Sequence, residues 1–129
     1  MIRVHKIKLS ANNTQSKYFG QACGVARHAY NWALTNWKEQ FEAGLKPNEA
    51  VLRKQYNAIK ASEFPWALDV TKCAPQQAIK NAGVAYKNFF SNLSKGKKGK
   101  KAGYPKFKKK GVRDSFRADN YTDVKPLVT

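Results

Sequence analysis

The spacing of apolar positions changes several times along the chain, and each change marks an element. From Ile2 to Leu9 the apolar residues Ile2, Val4, Ile7 and Leu9 stand among Arg3, His5, Lys6 and Lys8. This imperfect period of two predicts an edge or barrel strand. Asn12-Asn13-Thr14 then offers capping oxygens before Ala22, Ala26, Ala29, Ala33, Trp37 and Phe41, which recur three or four apart and predict one helical apolar stripe. Gly20 and Gly24 interrupt that stripe. A glycine within a helical pattern either costs about 1 kcal/mol or marks a turn, so a helix-turn-helix break is expected near Gly24.

Gly44 and Pro47 end this stretch, and Leu52, Tyr56 and Ile59 restore the helical period in a third helix over Asn48 to Ser62. Glu63-Phe64-Pro65-Trp66 reads as a loop with an aromatic anchor. A fourth helix is expected from about Thr71 to Leu93, with Thr71 as its cap and Pro75 in the first turn, where the missing N–H breaks no intrahelical bond. Beyond it, Ser94 to Gly103 is a glycine-rich basic run without an apolar face, which predicts a flexible loop that packs no core. Ser115-Phe116-Arg117 suits a second strand. These elements make a mainly α, α+β chain of about four helices, divided as a strand over 1–10, a helical domain over 11–94, a basic loop over 95–112 and a return strand with a patternless end over 113–129.

Charge narrows the partner. The chain has 129 residues, 25 Lys and Arg against 8 Asp and Glu, and a formal charge of +17, yet 42% of it is hydrophobic. Such a folded, basic domain repels itself unless it meets a polyanion, which makes nucleic acid the expected partner. No segment reaches the roughly 20 apolar residues needed to span a bilayer, so no membrane partner and a cytoplasmic, intracellular location are expected. Cys23 and Cys73, with only His5 and His28 for company, read as buried thiols rather than a zinc site or disulfide framework. No cofactor is implied.

Catalytic chemistry is poorly represented. Two-metal phosphodiester hydrolysis needs converging carboxylates, whereas the eight acids here are scattered; Glu39 and Glu42 share a helix face but, beside Lys38, read as solvated surface. Phosphate-binding loop, nucleophile-elbow and zinc-protease motifs are missing from the sequence. The chain is therefore not expected to be an enzyme by itself.

Binding chemistry is richer. Nine lysines lie between Lys95 and Lys110, namely Lys95, Lys97, Lys98, Lys100, Lys101, Lys106, Lys108, Lys109 and Lys110. Such a run gains affinity for phosphates by releasing counterions, without reading sequence. Tyr104 and Phe107 could stack on unpaired bases, with core packing as the competing use. At the start of the fourth helix, Lys72 and Gln76 share a face, and glutamine can pair with adenine through two hydrogen bonds. Arg27, Tyr30 and Asn31 follow the expected break, where a second helix would present DNA contacts; packing of Tyr30 and bonding of Asn31 to backbone is the favoured alternative.

Three stretches carry a resemblance. Ala26-Arg-His-Ala-Tyr30-Asn31-Trp-Ala-Leu34, Ala78-Ile-Lys80-Asn81-Ala-Gly-Val-Ala-Tyr86-Lys-Asn-Phe-Phe90 and Gly103-Tyr-Pro105-Lys-Phe107-Lys stand in the order and spacing of the N-terminal region of TnpB, the OrfB-type insertion-sequence transposase. The resemblance covers residues 1 to about 118. It implies an incomplete wedge β-barrel, begun by the first strand, interrupted by the helical recognition domain and resumed after the basic loop. It also implies an RNA-guided, transposon-associated nuclease, in which protein reads a short motif beside the target and base pairing reads the rest. DNA and a guide RNA become the expected partners, and Lys72 and Gln76 the expected motif contacts. The RuvC-like carboxylates and zinc-ribbon cysteines of that family have no counterpart in this sequence, so no catalytic residue carries over and a separate nuclease half is a further implied partner. A self-sufficient helix-turn-helix regulator and a structural RNA-binding protein are the alternatives.

Overall fold

Asn12 starts the helical part of the molecule. In the computed structural model, which describes Lys8, Ser10 and residues 12–111 and 114–117, the Asn12 side chain accepts from the backbone N–H of Gln15 at 2.8 Å, and Gln15 returns the bond to the Asn12 N–H at 3.0 Å. This reciprocal capping box satisfies two otherwise orphaned donors. It launches α1 over Asn13–Glu42, a single helix of 30 residues. The break expected near Gly24 does not form. Ala22, Val25, Ala26, Ala29, Ala33 and Leu34 are buried along one unbroken seam, and burying that seam outweighs the roughly 1 kcal/mol that each glycine costs a helix.

Gly44, at a φ of 83°, turns the chain out of α1. Asn48 caps α2, Glu49–Glu63, by accepting from the Val51 N–H at 2.9 Å. A 3₁₀ turn at Pro65–Asp69 follows, where a plain loop was expected. The last long helix, α3, spans Cys73–Ser94. Its backbone N-cap is Lys72, not the expected Thr71, although the Thr71 hydroxyl accepts from the Cys73 N–H at 3.3 Å and Pro75 lies buried in the first turn. Among the described residues, three α-helices and two short 3₁₀ turns thus replace the expected four helices.

Contacts fix how the helices run. Gln40 on α1 bonds Gln55 on α2, while His28, further back on α1, meets Phe64 just beyond α2, so these two helices are antiparallel. Thr71 meets Tyr18, Tyr86 meets Leu34 and Phe90 meets Phe41, so α3 runs parallel to α1. Their shared face is lined by Ala22, Ala26, Ala29 and Ala33 from α1 and Ala74, Ala78 and Ala82 from α3, all buried. Small side chains let two helix axes approach closely. Leu52 and Tyr56 bring α2 into the same core with no exposed surface.

The tail completes the unit. After a 3₁₀ turn at Gly99–Lys101, an extended strap runs back along the groove between α1 and α3. The basic run does not stay clear of the core, because Ala102 is buried and its carbonyl accepts from Asn92 Nδ2 at 3.1 Å. No strand forms among the described residues, so Ser115-Phe116-Arg117 belongs to no sheet among them. Phe116 is held by rings instead, 5.9 Å from Phe19 and 6.4 Å from Tyr18. Of the strand expected over Ile2 to Leu9, all but Lys8 falls outside the described residues, as does the end of the chain.

Candidate nucleic-acid interface

Two of the expected DNA contacts, Arg27 and Asn31, have partners on the strap. Asn31 clamps its backbone: the Asn31 Oδ1 accepts from the Lys108 N–H at 2.8 Å and Nδ2 donates to the Lys108 carbonyl at 3.0 Å. Above the clamp, Lys108 Nζ lies 4.5 Å from the centroid of the buried Tyr30 ring, a cation–π contact. Arg27 Nη1 meets Asp114 Oδ1 at 3.0 Å. Arg27, Tyr30 and Asn31 therefore hold the strap, and packing of Tyr30 with backbone bonding by Asn31 is the arrangement found. The signal missed at the sequence level is the partner, 77 residues away for Asn31 and 87 for Arg27.

The start of α3 keeps its candidates free of that role. Lys72 is exposed, and Gln76 is half-buried in the wall of a shallow groove of about 150 Å³ lined by Arg53, Cys73, Gln76, Gln77, Lys80 and Arg117. Gln77 and Arg117 also line a second depression of about 190 Å³, with Asn81 and Lys108 on its walls, so the two adjoin as a two-part trough along α3. Gln77 Nε2 donates to Asn81 Oδ1 at 3.0 Å, fixing both amides. Arg53 pairs with Glu49 at 3.0 Å. Four cations and three amides from α2, α3 and the strap thus face one trough. Lys80 extends the four-residue spacing of Lys72 and Gln76 by one more turn, a signal that the sequence itself carries.

Along the strap and the turn before it, Lys95, Lys97, Lys98, Lys101, Lys106, Lys108, Lys109 and Lys110 are exposed, while the side chain of Lys100 lies outside the described set. Tyr104 is 48% exposed, with its ring edge-on to Phe89 at 5.0 Å and to Tyr86 at 6.0 Å. Phe107 is 62% exposed. Each keeps a face open to solvent.

Beneath this surface the ionisable groups follow burial. Tyr56 is pushed up to about 12 by desolvation, and Tyr86 also upward, first by burial and then by the neighbouring Tyr104. His28 is pushed down by desolvation between Phe64 at 4.4 Å and Trp66 at 4.7 Å. The anchor expected at Trp66 is thus real, although that ring remains 45% exposed. Cys23 and Cys73 are half-buried and form no disulfide, less enclosed than expected, and burial and the charge of Asp114 raise the Cys23 thiol against the opposing effect of Arg27. Among the described residues, no cluster of His, Cys, Asp and Glu has a metal-holding arrangement, and no helix is long and apolar enough to cross a membrane.

Residues 1–46 match a helix-turn-helix domain family, that of OrfB proteins of the IS605 type. The chain is a distant homologue of TnpB-type proteins. It is 31% identical over 118 residues to the proposed RNA-guided DNA endonuclease InsQ of Escherichia coli, covering 90% of this chain and 27% of that protein. A proposed RNA-guided DNA endonuclease of Mycobacterium tuberculosis is 31% identical over 130 residues, covering 90% of this chain and 28% of its own length. The chain spans little more than a quarter of the curated relatives it matches. Of the 46 residues of the matched domain, the described part folds as α1 and the turn after it, one long helix rather than a pair.

Proposed function

We propose that this chain is the nucleic-acid-binding N-terminal module of an OrfB/TnpB-type, RNA-guided and transposon-associated nuclease. It binds DNA next to the target, together with guide RNA, and performs no catalysis without the nuclease half. The observation that carries the reading is the trough along α3, where Gln76, Gln77 and Asn81 stand among Arg53, Lys80 and Arg117. Cations neutralise phosphate while amides read base edges, and an interface that discriminates sequence needs both. The names of the relatives, which join RNA guidance to DNA cleavage, support the two partners. Lys72 and Gln76 read the motif from the start of α3, and the lysines from Lys95 to Lys110 hold the phosphate backbone.

Anisotropy titrations against a duplex library and a folded RNA, each over a range of salt, test this reading. Gln76→Ala is expected to flatten discrimination among duplexes, and Lys80→Ala to weaken all of them by a similar factor. Parent-like binding by both variants across the salt range would remove the trough from the interface. A self-sufficient regulator of the two-helix type has less support, because α1 runs without a break through the position where its turn belongs.

A further inference from the structure

A second cavity, of about 400 Å³, opens on the other side of the strap between Tyr104 and Phe107 and the C-terminal half of α1. Its volume falls within the roughly 300–1,000 Å³ of small-molecule sites, at the end that suits one nucleobase with its sugar. The floor is apolar and rigid: Leu34 and Tyr86 are each 4% exposed, and Tyr86 donates to the Leu34 carbonyl at 3.1 Å and stacks on Trp37 at 5.0 Å. Tyr104 and Phe107 form an aromatic wall with solvent-facing rings. The opposite rim is polar, with Lys38, Glu39 and Glu42 side by side on α1.

We infer that this cavity takes one unpaired guanine from a single-stranded stretch of nucleic acid, stacked against Tyr104 and Phe107 and read along its pairing edge by Lys38, Glu39 and Glu42. The inference rests on the nucleic-acid-binding reading above and adds a base-selective pocket to it. Carboxylates only accept hydrogen bonds. Guanine alone among the common bases offers two adjacent donors on its pairing edge, N1–H and the N2 amino group, with the O6 acceptor beside them. A carboxylate satisfies the two donors and an ammonium the acceptor. Glu39 and Glu42, three apart, share the helix face that also bears Lys38 at its edge. Two acids on a chain of charge +17 repel a phosphate, so the cavity suits a base edge, while the exposed Lys106, which precedes Phe107 in the strap, suits a flanking phosphate.

The test uses the full chain and fluorescein-labelled 12-nucleotide strands in low salt: oligouridine with a central guanosine, inosine, adenosine or uridine, and the same series in deoxy form on oligothymidine. Guanine is expected to bind about tenfold tighter than the plain strand, with inosine, which lacks the N2 amino group, in between. The double variant Glu39→Gln with Glu42→Gln should erase that preference and keep plain-strand binding, whereas Phe107→Ala should weaken every strand by about tenfold. Both glutamates are exposed, and a parent-like melting curve confirms that the double variant folds. Guanine preference in both sugar series supports recognition of the base alone, and preference in one series names the strand as RNA or DNA. Equal binding of all four central bases, or a guanine preference that survives in the double variant, overturns the pocket while leaving nucleic-acid binding standing. Failure of the parent to bind any strand, duplex or folded RNA overturns both.

Discussion

Asn31 and Lys108 are joined by a matched pair of hydrogen bonds, 2.8 Å and 3.0 Å, in which one amide side chain takes both polar groups of a single backbone residue. The arrangement imitates one rung of a β-ladder with a helix supplying the partner. Asn31→Ala removes both bonds. A partly exposed pair of this kind contributes about 1 kcal/mol, so global stability should fall modestly. The Lys108 amide should lose its hydrogen-exchange protection, while the amides within α3 keep theirs.

The unbroken α1 has a direct test at Gly20. A Cβ there meets nothing within 4 Å, and the backbone is helical. Gly20→Ala is expected to stabilise the protein by about 0.5–1 kcal/mol in a thermal or denaturant melt. A turn at this point would require the opposite sign.

Gly83 behaves oppositely although it too lies within a helix. A Cβ at this position comes 3.0 Å from the Glu49 Cβ and 3.7 Å from Trp37 Cζ3. Glu49 opens α2 directly after its Asn48 cap, so relief of the contact displaces a helix start rather than a flexible side-chain end. Gly83→Ala should destabilise by about 1 kcal/mol or more despite the better helix propensity of alanine, as a lower melting temperature.

His28 gives the fold a dependence on acidity. Burial depresses its affinity for a proton in the folded state, so the unfolded chain binds the proton more readily. Its contribution is fully present above the ordinary value of about 6.5 and is lost as the pH falls from there through the depressed folded value. Melts between pH 7.5 and pH 5 should show falling stability, and His28→Phe should reduce that slope.

Charge on the turn before the strap should act without regard to sequence. Replacing Lys97, Lys98 and Lys101, all exposed, with alanine should lower affinity for every duplex and single strand alike. Plots of log affinity against log salt should lose up to about 0.9 in slope for each phosphate contact removed on duplex DNA. A loss confined to one target sequence would assign these lysines to base reading.

Local signals made the helices legible. Asn12 and Asn48 cap where capping residues were available, and α2 and α3 begin and end within two residues of their periodic patterns. The break expected at Gly24 is not formed because the intrinsic cost of a glycine is local, whereas the alanine seam facing α3 decides the outcome and depends on residues some 50 positions away. The strap illustrates the same limit: Phe107 and Phe116 alternate with cations much as strand residues do, but their partners are helices, and nothing local distinguishes the two. At the interface, Lys72 and Gln76 were visible as a face of one helix. Arg53 and Arg117 could not be, since two other elements, α2 and the strap, deliver them to the trough.

Because α3 runs parallel to α1 and the strap returns antiparallel to both, the unit is entered and left at one end. Phe116 packs on Phe19 and Tyr18, about two helical turns from the Asn12 cap. A body with neighbouring ends is a cassette: a host sheet or barrel could accept it between two strands with little distortion, and a short linker could take its place at small closure entropy. Diversification of the trough could then proceed within the cassette, with the host architecture bearing none of its consequences.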